Sequence, residues 1–130
     1  MNIKNVTQYW LIAAEDDWKV ATHLFEKGDY TYALFFGHLY LEKLLKALTV
    51  QNTKTSAPIS HNLLYLSEKA SLLLSLEQKT IMDRVTGYNL ATRYPDQQFR
   101  FKKTCTKDFC LRELDYIEEV AQWLKKQIKQ

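Results

Sequence analysis

The chain has 130 residues, of which 46% are hydrophobic and 25% are charged, and this is the size and composition of one globular domain. Eighteen Lys and Arg residues against fifteen Asp and Glu residues give a formal net charge of +3, which is too small to indicate nucleic-acid binding by itself. Three glycines and two prolines leave few breaks, so long helices are favoured over a sheet with many turns. We therefore predict a single all-α domain over residues 1–130.

The first predicted helix runs from Val6 to Lys27 and carries one apolar stripe with the i, i+3, i+4 spacing of a buried face. Asp17 lies inside this stripe, where a carboxylate is unexpected. Gly28 suits the left-handed position after a helix, and Asp29 can cap the next helix. So short a connection predicts that the first two helices form an antiparallel hairpin.

The second predicted helix, Asp29–Gln51, is apolar on nearly every side. A helix of this kind must be surrounded, so we expect it to be the central helix of a bundle. His38 and Glu42 are four residues apart and share one of its faces, with Lys43 beside them and Lys46 one turn further on. Because ionisable groups on a central helix must pair or face a cleft, this face is a candidate site.

A polar loop, Asn52–Ile59, separates the central helix from two shorter predicted helices. Ser60 is a candidate cap for the first of them, His61–Leu74. Ser75 fits a capping box at the start of the second, Leu76–Leu90.

Residues Ala91–Lys103 are predicted to form a structured loop, because Pro95 blocks a continuing helix and biases Tyr94 towards extended geometry. Loops of this length are often functional. Thr104 or Thr106 then caps a final helix that runs almost to the end of the chain. The expected architecture is an up-and-down four-helix-type bundle with a fifth helix.

Several kinds of site are not predicted. Cys105 and Cys110 are expected on different sides of the last helix, as reduced thiols of a cytoplasmic protein rather than a disulfide. The three histidines fall on three separate segments, which argues against a metal site. No glycine-rich phosphate loop and no nucleophile motif occurs, so we predict no catalytic residue and no cofactor. Apolar stretches fall short of the ~20 residues that a membrane span needs, and the N-terminus lacks the apolar core of a signal peptide.

Several short motifs occur in a fixed order along the chain. They are Trp10, Ala13, Asp17, Ala21 and Leu24; Gly28-Asp29-Tyr30 and Ala33; Glu42–Leu48; His61-Asn62-Leu63; and Arg93-Tyr94-Pro95. Together they resemble the HEPN domain family. The resemblance implies a helical bundle with a short extra helix or loop, a homodimer, nucleotide binding, and a nucleotidyltransferase partner in a toxin–antitoxin-like pair.

One departure from the family bears on catalysis. The resemblance implies, for many members, a metal-independent ribonuclease with an Arg followed four to six residues later by a His. Here Tyr88 stands at the position of that Arg and Arg93 at the position of that His, and an Arg does not deprotonate near neutral pH. Ribonuclease activity is therefore not expected, although an atypical ribonuclease site built from Tyr88, Asn89 and Arg93 remains an alternative.

The Arg93-Tyr94 pair is a candidate nucleotide site, because a guanidinium suits a phosphate and an aromatic ring can stack on a base. A second group lies on the first two helices. We hypothesise that Asp17, His38 and Glu42, with Lys43 beside them, form a polar pocket over which Arg93 closes. The alternative is a buried network of hydrogen bonds and ion pairs that sets the register of the helices.

A basic cluster interleaved with aromatic residues offers a further alternative. Its cations are Arg100, Lys102, Lys103 and Lys107, and its aromatic residues are Phe99 and Phe101. Such a surface can bind single-stranded RNA. The simpler interpretation is that both rings anchor the loop while the cations face water. Taken together, the sequence predicts a non-catalytic binding and regulatory module.

Overall fold

The computed structural model describes residues 1–129 and contains six helices and, within that range, no strand. The helices are α1 (Ile3–Glu26), α2 (Tyr30–Thr53), α3 (Leu63–Lys69), α4 (Leu76–Arg93), α5 (Pro95–Thr104) and α6 (Lys107–Gln127). The predicted all-α bundle is confirmed. The predicted number of helices is wrong by one, because α5 was expected to be a loop.

Helix α2 is the centre of the bundle, as predicted. It contacts all five other helices, and fifteen of its 24 residues are buried. Its apolar surface explains this position, since leucines on every side can be removed from water only when neighbours cover every side. Gly37 lets α6 approach closely, because a Cβ at this position would lie 2.8 Å from Cδ1 of Ile117.

The turn between α1 and α2 is as short as predicted. Gly28 has a φ of +82°, the left-handed conformation that glycine adopts without strain, and the backbone N–H of Asp29 donates to the carbonyl of Leu24 at 2.9 Å. Asp29 occupies the residue before α2, but its side chain makes no capping hydrogen bond. The prediction that Asp29 caps α2 through its carboxylate is therefore wrong.

Helix α3 is shorter than predicted, and its cap differs. The side chain of Asn62 accepts from the backbone N–H of Tyr65, whereas the hydroxyl of Ser60 accepts from the N–H of Asn62. Ser60 therefore supports the turn before the cap instead of capping the helix. The capping box of Ser75 and Gln78 at the start of α4 is confirmed.

The segment after α4 is helical, which corrects the predicted loop over Ala91–Lys103. Helix α4 continues to Arg93, and Pro95 is the first residue of α5. Tyr94 is extended, with φ −106° and ψ 125°, as predicted for a residue before proline. Proline breaks a helix that reaches it, but it is well suited to the first helical position, where no N–H partner is needed.

Helix α6 begins after Thr106, whose hydroxyl accepts from the N–H of Phe109 at 3.1 Å. Thr106 rather than Thr104 is therefore the cap. The buried residues of this helix include Cys110, Leu114, Ile117, Ala121 and Leu124. None of the helices in residues 1–129 has the length and apolar character that crossing a membrane requires.

Candidate functional site

Four ionisable residues form a hydrogen-bonded group on one face of α2, which we call the α2 polar network: His38, Glu42, Lys46 and His61. One carboxylate oxygen of Glu42 accepts from Nδ1 of His61 at 2.8 Å, and the other accepts from Nζ of Lys46 at 3.1 Å. Nε2 of His38 lies 2.8 Å from the backbone carbonyl of His61. The network therefore fixes both the backbone and the side chain of His61 against α2.

The contacts of His38 define its protonation state. A carbonyl oxygen can only accept, so Nε2 of His38 carries the proton in this hydrogen bond. The ring is fully buried, and this burial lowers the pKa of His38, although the hydrogen bond to His61 and the charge of Glu42 oppose the shift. His38 is consequently a neutral donor near pH 7.

Asp17 does not join this network. Its carboxylate lies 2.6 Å from Nζ of Lys43, and Asp17 is buried. The pocket hypothesis for Asp17, His38 and Glu42 is therefore corrected, because the polar residues separate into two groups with partners of their own. Each buried charge is compensated within the bundle, as its desolvation requires.

Arg93 and Tyr94 lie at the junction of α4 and α5, and both are exposed. Within residues 1–129, Arg93 forms no ion pair with a carboxylate. Its positive charge is near enough to contribute to the lowered pKa of His38. Arg93 therefore presents to solvent a charge that has no carboxylate partner among the described residues.

Tyr88 and Asn89, the other members of the proposed atypical ribonuclease site, are both buried. The Tyr88 hydroxyl donates to a carboxylate oxygen of Glu113, which also binds Arg84 through two hydrogen bonds of 2.6 and 3.2 Å. Burial, together with the hydrogen bond to Glu113, raises the pKa of Tyr88. Tyr88 therefore holds its proton inside the bundle, apart from the exposed Arg93.

The four cations of the RNA-binding alternative, which we call the basic surface, are all exposed. They are Arg100, Lys102, Lys103 and Lys107. Phe101 stacks on Tyr88 at a centroid distance of 5.0 Å and anchors α5 to the bundle. Phe99 is 63% exposed, and Nζ of Lys103 lies 4.5 Å from the centroid of its ring. The expectation that both phenylalanines are anchors holds for Phe101 and fails for Phe99.

A cavity of about 470 Å³ lies between the α1–α2 turn and α5, and we call it the α2–α5 cavity. One wall consists of residues 28–32, and the other comprises Pro95, Gln98, Phe99, Lys102 and Cys105. Nε2 of Gln98 donates to the hydroxyl of Tyr32 at 2.7 Å and joins the two walls. None of the six candidate nucleotide-site residues lines this cavity, but Pro95, which directly follows Tyr94, does.

Another cavity, of about 570 Å³, lies between α4 and α6. It is lined by Arg84, Arg112 and Glu113 together with Ile81 and Tyr116. Arg84 is already engaged with Glu113 through two hydrogen bonds. Leu76, Glu77 and Thr80 complete its lining.

The sequence did not identify three of the residues that shape these sites. His61 meets Glu42 only because the loop after α2 folds back along α2. The expectation that later helices pack against a central helix could have indicated such a contact. Asp29 was interpreted as a cap, and its cavity position depends on α5, which was not predicted. Phe99 was interpreted either as part of an RNA-binding surface or as an anchor of the loop, and its position in the cavity also depends on α5.

The described part of the chain holds no group of three His, Cys, Asp or Glu side chains arranged to bind a metal ion. Both cysteines are free and buried. Burial raises the pKa of Cys105 and raises that of Cys110 to about 12.

Comparison with known proteins identifies the fold and the family. The structure of TT1696 from Thermus thermophilus is similar, with a TM-score of 0.78 and 20% sequence identity over 94% of this chain and 98% of that one. A search of curated protein sequences gives no significant match. The model of the HEPN domain matches residues 7–127. The chain therefore belongs to the HEPN domain family.

Proposed function

We propose that the protein is a non-catalytic HEPN module that binds a nucleotide in the α2–α5 cavity and acts with a nucleotidyltransferase partner in a toxin–antitoxin-like pair. One observation carries the proposal. The cavity combines an exposed aromatic ring, Phe99, with a lysine, Lys102, that has no carboxylate partner within residues 1–129. The partner and the homodimer rest on the resemblance of the sequence to the family.

The chemistry of the cavity suits a nucleotide. Its volume of about 470 Å³ falls in the usual range of small-molecule sites. Phe99 and Lys102 are three residues apart on α5, so they share a face of that helix. A base can stack on the ring while the ammonium group binds a phosphate.

Arg93 and Tyr94 extend this site. They immediately precede Pro95, which lines the cavity, and both are exposed. A guanidinium beside the cavity raises the local concentration of anionic ligands. Asp17, His38, Glu42 and Lys43, by contrast, are assigned in this proposal to the structure of the bundle.

The lack of the residues that the family's ribonuclease would use supports the non-catalytic part of the proposal. No His lies four to six residues after an Arg in this sequence. Tyr88 cannot replace a catalytic base, since its hydroxyl donates to buried Glu113. An atypical ribonuclease at Tyr88, Asn89 and Arg93 would need these side chains at one accessible place, and two of them are buried.

RNA is a second candidate ligand, and a specific observation favours it. Phe99 is exposed beside the basic surface, which is the combination of aromatic ring and cations that binds single strands. RNA binding predicts a steep loss of affinity with salt. A mononucleotide in the cavity predicts a shallow one, because fewer phosphates are involved.

A thermal-shift titration with ATP, GTP and a short RNA tests the proposal on the wild type and on Lys102→Ala. The matched control is Lys4→Ala, which removes an exposed lysine of α1. A nucleotide at a hundred times its dissociation constant adds about 2.7 kcal/mol to the free energy of unfolding. We expect a shift of several degrees for the wild type and Lys4→Ala, and a smaller shift for Lys102→Ala. No shift with any nucleotide would contradict nucleotide binding.

The homodimer is tested by gel filtration. A dimer at micromolar concentration supports this part of the proposal, and a monomer would contradict it. Copurification with the product of a neighbouring nucleotidyltransferase gene would support the partner.

A further inference from the structure

We propose that the α2–α5 cavity selects guanine, and that Asp29 is the residue that recognises the base. This inference rests on the proposed nucleotide site and specifies its ligand. It starts from the position of Asp29, which lines the cavity and directly precedes α2.

The carboxylate of Asp29 has no hydrogen-bond or ion-pair partner among the described residues. It makes no capping hydrogen bond, and the described residues include no hydrogen-bond donor or cation paired with it. A carboxylate is an acceptor with two oxygens. Asp29 therefore brings to the lining of the cavity a two-oxygen acceptor that has no partner among residues 1–129.

Guanine is the purine that complements such a group. Its edge presents two adjacent donors, N1–H and the 2-amino group, and a carboxylate can accept from both. Adenine presents an acceptor at N1, whose lone pair would face the negative oxygens. Hypoxanthine keeps N1–H but lacks the amino group, so it can donate only one of the two hydrogen bonds.

The other side chains of the cavity fit the same ligand. Asp29 and Tyr32 lie on one wall, whereas Phe99 and Lys102 lie on the opposite wall. A base whose edge meets Asp29 can place its face against Phe99 and its phosphate near Lys102. Asp29 and Lys102 form no ion pair with each other, so both charges stay available to the ligand.

Titration calorimetry with GMP, IMP and AMP tests the inference on the wild type, Asp29→Asn and the control Asp16→Asn. Asparagine is also favoured before a helix, so Asp29→Asn preserves the start of α2. We expect the wild type and the control to bind GMP about tenfold or more tightly than IMP and AMP. Asp29→Asn should lose this preference and bind AMP no more weakly than the wild type does.

The outcomes separate this inference from the proposed function. Equal affinities for the three nucleotides would overturn guanine selection and leave the nucleotide site in place. No binding of any nucleotide would overturn both. A lower melting temperature of Asp29→Asn with an unchanged preference for GMP would show that Asp29 acts on the dipole of α2, and this too would overturn the inference.

Discussion

The α2 polar network and the basic surface are both rich in charged residues, but they differ in whether those charges are paired within the protein. In the network, both oxygens of Glu42 are occupied by Lys46 and His61, and His38, Glu42 and Lys46 are buried. On the basic surface, all four cations are exposed, without carboxylate partners in the described chain. A buried charge needs a partner inside the protein, so it is not available to bind a ligand. An exposed cation with no partner is available to a ligand.

The largest expected effect comes from breaking the network at its centre. Glu42→Gln removes the carboxylate and leaves Lys46, which is 8% exposed, with a buried charge that has lost its counter-ion. We expect the free energy of unfolding to fall by about 3 kcal/mol, as measured by urea denaturation. Nucleotide affinity should not change.

Glu68→Gln is the matched control, because Glu68 is an exposed carboxylate on the neighbouring helix α3, and it should change stability by less than about 0.5 kcal/mol. Glu42→Gln combined with Lys46→Met should recover part of the loss, since an apolar side chain needs no counter-ion. If Glu42→Gln folds but no longer binds the nucleotide, this would contradict the conclusion that the α2 polar network serves the structure and not the ligand site.

A smaller effect is expected from pH. The folded state holds the pKa of His38 below its ordinary value, so below about pH 6.5 the unfolded chain binds more protons. Stability should be constant above that pH and should decrease as the pH falls, by at most about 1.4 kcal/mol per pH unit. Urea denaturation at several pH values between about 6.5 and 5 measures this slope.

His38→Gln should flatten this slope, because an amide can still donate to the carbonyl of His61 but does not titrate. The groups whose charges influence the pKa of His38 are Glu42 on its own helix, His61 before α3 and Arg93 at the end of α4. His23→Gln is the control, because His23 is exposed on α1, and it should keep the slope of the wild type. Equal slopes in His38→Gln and the wild type would show that His38 is not the titrating group.

The smallest effect on stability is expected at the junction of α4 and α5. Arg93 is exposed, so Arg93→Ala should change the free energy of unfolding by no more than about 0.5 kcal/mol. It should weaken nucleotide binding measurably, and the weakening should fade as salt screens the charge. A loss of stability well above ~1 kcal/mol with unchanged nucleotide affinity would instead assign Arg93 to the structure.

The sequence predicted the central position of α2 because its apolar residues cover the whole circumference of the helix, and no tertiary information is needed to see this. It placed Glu42 and Lys46 close together on one helix because of their spacing, but it did not assign the ion pair that the structure shows between them. It failed at Asp17, whose partner Lys43 was in the right group but was not assigned to it. The choice between several nearby charges depends on the rotation of α1 against α2, which periodicity alone does not give.

The failures around α5 originate at one residue. Pro95 was interpreted as the end of helical structure, whereas it begins α5. The cavity requires α5, so the sequence could not place Phe99 and Asp29 together in one site. A proline indicates where a helix cannot pass, and the residues after it decide whether a new helix starts.

The state of the two sulfur atoms has a practical consequence. Thiol reagents attack the thiolate, and burial raises the pKa of both native thiols, that of Cys110 to about 12. A cysteine introduced at an exposed loop position, as in Ser56→Cys, should therefore react with maleimide well before either native residue. One fluorophore per chain could then be attached without removing any native cysteine, and energy transfer between labelled copies would report directly on their association.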